Sequence, residues 1–138
     1  MNVTDISRIA NPVAEGERPL ALVADDLVAY RQVVRGALEI AGYEVLEAAN
    51  GLEAIELAME YPVQLAVLDV NMPGGIDGFQ VCARIKRDPV LRGTKVIMLT
   101  VRQEHQDYAR AEMTAADDYI PKPFRIDQLV ASARALAA

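Results

Sequence analysis

The stretch "LAVLDVNMPGG", residues 65–75, changes character within a few positions. A run of apolar residues ends on Asp69, and the positions that follow are rich in Pro and Gly. A short apolar run bounded by turn residues is typical of a strand that is buried on both faces of a sheet. Because a carboxylate is costly to bury, its position at the end of such a strand raises the question of which partner stabilises Asp69 there.

The composition of the chain indicates a single soluble domain without disulfides or membrane spans. Its 138 residues, 52% of them hydrophobic, suffice for one compact domain and are too few for two ordinary ones. Acidic residues outnumber basic ones by 20 to 14, and the basic ones are scattered, so we expect no direct nucleic-acid binding. One Cys excludes an internal disulfide. No apolar run approaches the ~20 residues that span a bilayer, and no signal peptide is evident, so we expect a cytoplasmic protein with no membrane contact.

Two regions differ in their patterning. Residues 1–19 mix charge, Pro and Gly without a sustained period and are predicted to be an arm or linker, while residues 20–138 are predicted to form the folded domain. Five short apolar runs in that domain are predicted strands: residues 20–24, 44–48, 63–68, 95–99 and 118–120. Because segments of helical period alternate with them, we predict an α/β fold whose parallel sheet carries helices on both faces.

The helical segments follow the strands in turn. The first has one stripe of residues at helical spacing, with Gly42 at its expected end: Tyr30, Val33, Val34, Ala37, Leu38 and Ala41. The second is stopped by Pro62, and the third precedes Asp88 and Pro89. A weakly amphipathic fourth helix is predicted around residues 104–113, and a fifth begins near Ile126.

Polar side chains stand where the predicted strands end. They are Asp25 and Asp26 after the first strand, Asp69 after the third, Thr100 after the fourth, and Lys122 with Pro123 after the fifth. In an open parallel sheet, the functional crevice lies beyond the carboxyl ends of the strands. Three carboxylates crowded there repel one another unless a cation neutralises them. A hard divalent ion with oxygen ligands, Mg²⁺ above all, fits that requirement.

Five motifs in this order resemble the receiver domain of two-component response regulators. They are "VADD" (23–26), "LDVNMP" (68–73), "DGF" (77–79), "IMLT" (97–100) and "DDYIPKPF" (117–124). The resemblance covers roughly residues 20–136. It implies a flavodoxin-like, doubly wound fold with a five-stranded parallel sheet of order 2-1-3-4-5.

The resemblance also implies a phosphorylation site. Asp69 would be the phosphoacceptor, attacking a phosphohistidine to form an acyl phosphate. Asp25 and Asp26 would bind Mg²⁺ together with Asp69 and the backbone carbonyl of Asn71. Thr100 would hydrogen-bond one phosphoryl oxygen of the modified Asp69.

The signalling step is implied in the same way. Lys122 would pair with a second phosphoryl oxygen, and the rotamer of Tyr119 would follow the movement of Thr100. The surface formed by the fourth helix, the fifth strand and the fifth helix would then change its affinity for partners. A cis peptide bond is expected between Lys122 and Pro123.

The resemblance places the chain in phosphorelay signalling in the cytoplasm. The expected partners are a sensor histidine kinase or a histidine phosphotransfer protein, and a downstream protein target. The protein would be a monomer or weak dimer, and not an enzyme beyond its own phosphorylation and dephosphorylation.

Three features depart from the family pattern. The loop "GGI" (74–76) is one residue longer than usual, and Val101 stands where a small residue is usual after Thr100. We expect Val101 to slow phosphorylation by small donors. Ala115 stands where glycine is common, so the turn there must change its backbone or carry strain. Asn71 and Arg102 stand at the two positions that, in the family, tune the phosphoryl lifetime.

Simpler roles remain open for single residues. Asp25 and Asp26 could cap the first helix, and Asp77 could cap the third. Cys82 is expected to be a small core residue, and His105 a surface residue.

Two other functions remain open for the whole chain. A receiver-like interaction module without effective phosphorylation is the main alternative. A haloacid-dehalogenase type of phosphatase is disfavoured because Asn71 stands where that class has a second Asp. We expect no output domain after the fifth helix. The chain could therefore be a stand-alone receiver or a part of a larger regulator, and both possibilities stay open.

Overall fold

The computed structural model describes residues 18–100 and 115–137. Nine helices and strands follow one another in this part of the chain: β1 (Leu20–Ala24), α1 (Val28–Ile40), β2 (Glu44–Ala48), α2 (Gly51–Glu60), β3 (Val63–Asp69), α3 (Gly78–Arg87), β4 (Lys95–Thr100), β5 (Asp118–Pro121) and α4 (Ile126–Ala137). The five predicted strands are confirmed, each to within one residue at its ends. The predicted arm at residues 1–19, apart from its last two positions, and the predicted helix at residues 104–113 lie outside the described residues.

The strands form one parallel sheet of order β2-β1-β3-β4-β5. The central strand β3 pairs with β1 on one side and with β4 on the other. Because parallel neighbours need crossover connections, helices cover the faces of the sheet. The predicted doubly wound α/β fold and its strand order are confirmed.

Two hydrophobic clusters lie on opposite faces of the sheet. The helices α2 and α3 pack on one face, around Phe79 and Ile85. The helices α1 and α4 pack on the other, around Leu38 and Leu129. Alternate residues of the same strands enter the two clusters, as the two-residue period of a strand requires. The sheet is therefore buried on both sides, and polar residues are accommodated at the strand ends.

One helical prediction was wrong, and one alternative left open for the first helix is excluded. Val33, assigned to the buried stripe of α1, is 44% exposed, while Val34, Ala37 and Leu38 are buried. The first helix is not capped by Asp25 or Asp26 either, because Leu27 occupies its N-cap position. Cys82 is fully buried, as expected for a core residue.

The turn before β5 follows the second of the two alternatives left open for Ala115, a strained backbone. Ala115 has φ of 61°, in the left-handed region that favours glycine. A side chain in this region clashes with its own backbone, which costs free energy. The chain thus keeps the turn geometry and accepts strain at Ala115.

Within the described ranges, no helix has both the length and the apolar character needed to cross a bilayer.

Candidate functional site

Three carboxylates meet at the carboxyl edge of the sheet. Asp25 and Asp26 follow β1, and Asp69 is the last residue of β3. One oxygen from each lies within 4.8 Å of the others. Asp25 and Asp69 are buried, whereas Asp26 is exposed. The predicted cluster of carboxylates is therefore present, with one member open to solvent.

Backbone and side-chain hydrogen bonds fix Asp25. Its N–H donates to the carbonyl of Ala48 at 3.1 Å, and its Oδ1 accepts from the N–H of Leu27 at 2.9 Å. The Arg31 guanidinium donates to the Asp25 carbonyl at 2.8 Å and to Glu47 Oε1 at 3.2 Å. The link from α1 to β2 through Arg31 and Glu47 was not predicted from the sequence. It holds the start of α1 against the neighbouring strand.

The Lys122 ammonium lies between two of the carboxylates. Its Nζ is 3.1 Å from Asp25 Oδ2 and 3.2 Å from Asp69 Oδ1. Its side chain is only 4% exposed, so these ion pairs are shielded from water. The backbone N–H of Lys122 donates to the carbonyl of Thr100, and the peptide bond to Pro123 is cis, the geometry expected from the resemblance.

An aromatic ring also contacts this ammonium. Lys122 Nζ is 4.0 Å from the centroid of the Tyr30 ring. This is well within the ~6 Å at which a cation and a ring face attract each other. In the sequence, Tyr30 appeared only as a member of the buried stripe of α1, and no spacing pattern pointed to Lys122.

Burial shifts the protonation of both charged partners. It raises the pKa of Asp69 to about 6, since a desolvated carboxylate is disfavoured; the Asp25 charge adds to the rise. The Lys122 charge and a hydrogen bond from the Asn71 backbone oppose it. Burial lowers the pKa of Lys122, but Asp69 and Asp25 outweigh burial and the net shift is upward. Lys122 therefore stays charged at neutral pH, whereas the pKa of Asp69 lies closer to neutral pH than the pKa of an exposed carboxyl group does.

Thr100 and Tyr119 lie on the same face of the sheet. Thr100 ends β4 and is fully buried. Tyr119 pairs in register with Met98, two residues before Thr100, and is half-buried against the cluster of α2 and α3. Residues two apart on a strand point to one face, so the Tyr119 and Thr100 side chains share that face. The predicted residues Val101 and Arg102, and the predicted surface residue His105, lie outside the described residues.

The loop after Asp69 depends on glycine at two kinds of position. Gly74 and Gly75 both have positive φ, at 94° and 86°. Gly78, which opens α3 after the Asp77 capping box, has no room for a side chain, because a Cβ there would lie 2.2 Å from the Asp69 carbonyl oxygen. The start of α3 is thus packed directly against the backbone of the site.

The donor set fits a hard divalent cation. Asp25, Asp26 and Asp69 supply oxygen ligands only, which Mg²⁺ prefers, and one of the three faces solvent. Among the described residues of the site there are three carboxylates and one ammonium, that of Lys122, so negative charge is in excess. A divalent cation would balance it.

Comparison with known proteins gives one consistent result. The family model described as the response regulator receiver domain matches residues 21–134. The DNA-binding dual master transcriptional regulator RpaA of Synechocystis sp. is 38% identical over 118 residues, which are 86% of this chain and 48% of that protein. The phosphate regulon transcriptional regulatory protein PhoB of Escherichia coli is 38% identical over 115 residues, which are 83% of this chain and 50% of that protein.

Solved structures agree with this result. A putative response regulator from Chloroflexus aurantiacus superposes with a TM-score of 0.81 at 30% identity, covering 88% of this chain and 100% of that one. The chemotaxis response regulator CheY4 of Vibrio cholerae superposes with a TM-score of 0.79 at 28% identity, covering 86% of this chain and 98% of that one. The chain spans about half the length of the curated relatives it matches.

Proposed function

Because the chain belongs to the response regulator receiver domain family, we propose that Asp69 accepts a phosphoryl group from a phosphohistidine on a partner protein. Receiver domains interact with histidine kinases or histidine phosphotransfer proteins, and either would supply that donor. The chain would then be a phosphoacceptor switch and not an enzyme with turnover on a diffusible substrate.

The observation that carries this proposal is the position of the Lys122 ammonium. It lies between the carboxylates of Asp25 and Asp69, at 3.1 and 3.2 Å, and an oxygen of each of these lies within 4.8 Å of one from the exposed Asp26. A structural ion pair would need only one carboxylate. Here the ammonium lies beside the Asp69 oxygen, where the phosphoryl oxygens would arrive, and a divalent cation would balance the remaining negative charge of the carboxylates.

Phosphoryl transfer asks the protein mainly for position and charge. An Asp69 carboxylate oxygen attacks the phosphorus, a P–O bond forms, and the P–N bond to the donor imidazole breaks with its electron pair returning to the ring nitrogen. Lys122 then pairs with one phosphoryl oxygen and the Thr100 hydroxyl donates to another. Mg²⁺ bound by Asp25, Asp26 and Asp69, with the Asn71 carbonyl, would neutralise the charge that develops on the phosphoryl oxygens.

The readout of phosphorylation would pass along the shared face of β4 and β5. As Thr100 turns toward the phosphoryl group, it leaves space beside β5, and Tyr119 turns inward. The change would alter a surface that includes β5 and α4 and so select a downstream protein. The common face of Thr100 and Tyr119 supports this coupling.

We propose that the partners of this chain are proteins and not nucleic acids. RpaA is described as DNA-binding, and PhoB is named a transcriptional regulatory protein. This chain matches about half the length of each, and its acidic residues outnumber its basic ones by 20 to 14. We therefore do not extend DNA binding to it.

Intact-mass spectrometry tests the proposal. The protein is incubated with acetyl phosphate or with phosphoramidate, whose P–N bond mimics phosphohistidine, with and without Mg²⁺. We expect a Mg²⁺-dependent gain of one phosphoryl group. Asp69→Ala should abolish the gain, and Asp127→Ala, a matched change at an exposed carboxylate, should retain it.

Two outcomes would contradict the proposal. Equal gain in wild type and Asp69→Ala would move the acceptor to another residue. No gain with either donor, in protein shown to be folded, would favour the receiver-like interaction module instead.

A further inference from the structure

The Lys122 ammonium is enclosed by groups from three directions. Two are the Asp25 and Asp69 oxygens, at 3.1 and 3.2 Å. The third is the face of the Tyr30 ring, whose centroid is 4.0 Å away. A ring face carries partial negative charge and attracts a cation without accepting its proton. The ring therefore takes the place of water on the side of the ammonium that the carboxylates leave open.

The ring stands on a firmly held part of the fold. Tyr30 is the third residue of α1, and its neighbour Arg31 is anchored both to the Asp25 carbonyl and to Glu47. The same hydrogen bonds hold Asp25 and the first turn of α1 together. The backbone that carries the Tyr30 ring is thus held next to Asp25, whereas the Lys122 ammonium stands at the end of a long stem with several rotatable bonds.

We propose that Tyr30 is a positioning residue that holds the Lys122 ammonium in the phosphoacceptor site. A lysine side chain is a point charge on a long flexible stem and needs a fixed environment to keep one position. With the ring in place, the charge is held beside the Asp69 oxygen where the phosphoryl group arrives, so only a short movement of the ammonium is needed during transfer. Its effect on phosphorylation rests on the proposed function, but the contact itself does not.

The competing explanation is that Tyr30 merely fills space at the edge of the α1 and α4 face. Two substitutions separate the explanations. Tyr30→Leu keeps apolar bulk but has no ring face, whereas Tyr30→Phe keeps the ring face and removes only the hydroxyl. Tyr61→Leu is the matched control, since Tyr61 is a half-buried tyrosine just before β3, at the opposite edge of the sheet.

The first measurement follows Lys122 by NMR and needs no phosphorylation. The chain has three lysines, and the exposed Lys95 serves as an internal reference. A ring current should displace the Lys122 side-chain signals of the wild type and of Tyr30→Phe upfield. In Tyr30→Leu these signals should return toward the position of Lys95. Unchanged Lys122 signals in folded Tyr30→Leu would overturn the contact.

The second measurement is the rate of Mg²⁺-dependent phosphorylation by acetyl phosphate. We expect Tyr30→Leu to be slower by about three- to tenfold, while Tyr30→Phe and Tyr61→Leu stay within about twofold of wild type. Progressive fluorination of a phenylalanine at position 30, which weakens the ring face at nearly constant shape, should slow the reaction stepwise.

The outcomes distinguish the contact from its role. A rate independent of fluorination, or equal losses in the Leu and Phe variants, would overturn the role of the ring in positioning Lys122. If the wild type accepts no phosphoryl group at all, the proposed function fails, and the Lys122 signals still decide whether the ring holds the ammonium.

Discussion

The buried carboxyl group of Asp69 should make the fold less stable at neutral pH than at mildly acidic pH. Its pKa rises from 3.8 to about 6, mainly because burial disfavours the charged form. A change of one pH unit in a pKa corresponds to about 1.4 kcal/mol, so ionisation of Asp69 costs the folded state at most about 3 kcal/mol. The folded protein binds this proton more tightly than the unfolded chain does. The stabilisation is therefore complete below pH 3.8 and is lost as the pH rises through about 6.

Asp69→Asn isolates this contribution, because it removes the titrating group and nearly preserves the shape of the side chain. Urea unfolding without divalent cations gives the free energy of unfolding of both proteins between pH about 4 and about 7. Over that range, we expect the wild type to lose about 2 to 3 kcal/mol relative to the variant. Adding Mg²⁺ at neutral pH should stabilise the wild type more than the variant, because the ion binds the charged form.

A control and a refuting result complete this experiment. Asp127→Asn alters a side chain that is 72% exposed, and its stability should follow the wild type at every pH. If the difference between wild type and Asp69→Asn were the same at both ends of the pH range, burial of a charged Asp69 would not be costly and the electrostatic account of the site would be wrong.

Three further changes, the second with its own control, test the ion cluster, the start of α3 and the turn before β5. Lys122→Met keeps the bulk of the stem but leaves the buried carboxylates without their cation; urea unfolding at neutral pH should show a loss of about 3 kcal/mol, and no loss would contradict a compact ion cluster. Gly78→Ala should lower the free energy of unfolding by more than about 2 kcal/mol, because its Cβ would lie 2.2 Å from the Asp69 carbonyl oxygen. Gly36→Ala is the control: a Cβ at Gly36 meets no described atom within 4 Å, so this change should raise the free energy of unfolding by about 0.5 to 1 kcal/mol. Ala115→Gly should raise the thermal midpoint by relieving a φ of 61°, in contrast to alanine-to-glycine changes inside a helix, and a lower midpoint would refute strain at that turn.

The fold was predictable because its strands are short apolar runs with clear ends. The central strands β1, β3 and β4 are buried on both faces, so their sequences are largely apolar and end at a polar or turn residue. Helical spacing was less decisive. It placed Val33 on the buried stripe of α1, yet this residue is 44% exposed while Val34 is fully buried. Spacing defines the centre of a stripe, but packing against a neighbouring helix decides where the stripe ends.

The site was predictable where the sheet itself brings residues together. Asp25, Asp69 and Thr100 end parallel strands, and such strands end at one edge. The Lys122 ammonium was expected at the same edge because Lys122 follows the fifth strand, but strand order alone does not fix which carboxylates it contacts. The Tyr30 contact was missed because it depends on the rotamer of a long side chain and on the exact position of α1, and neither leaves a periodic signal in the sequence.

The charges of the site explain why the proposed switch would respond to phosphorylation and not to a simple acidic substitute. With its carboxylates ionised and Lys122 charged, the described cluster carries excess negative charge, which a divalent cation would balance. Converting Asp69 to an acyl phosphate adds charge and extends the acidic oxygens farther from the end of β3. The ammonium must then follow those oxygens away from Asp25, while the ring of Tyr30 keeps it from moving into solvent. Asp69→Glu lengthens the side chain without adding charge, so it should leave the ammonium near Asp25. The variant should therefore produce only a weak change in the surface that includes β5 and α4.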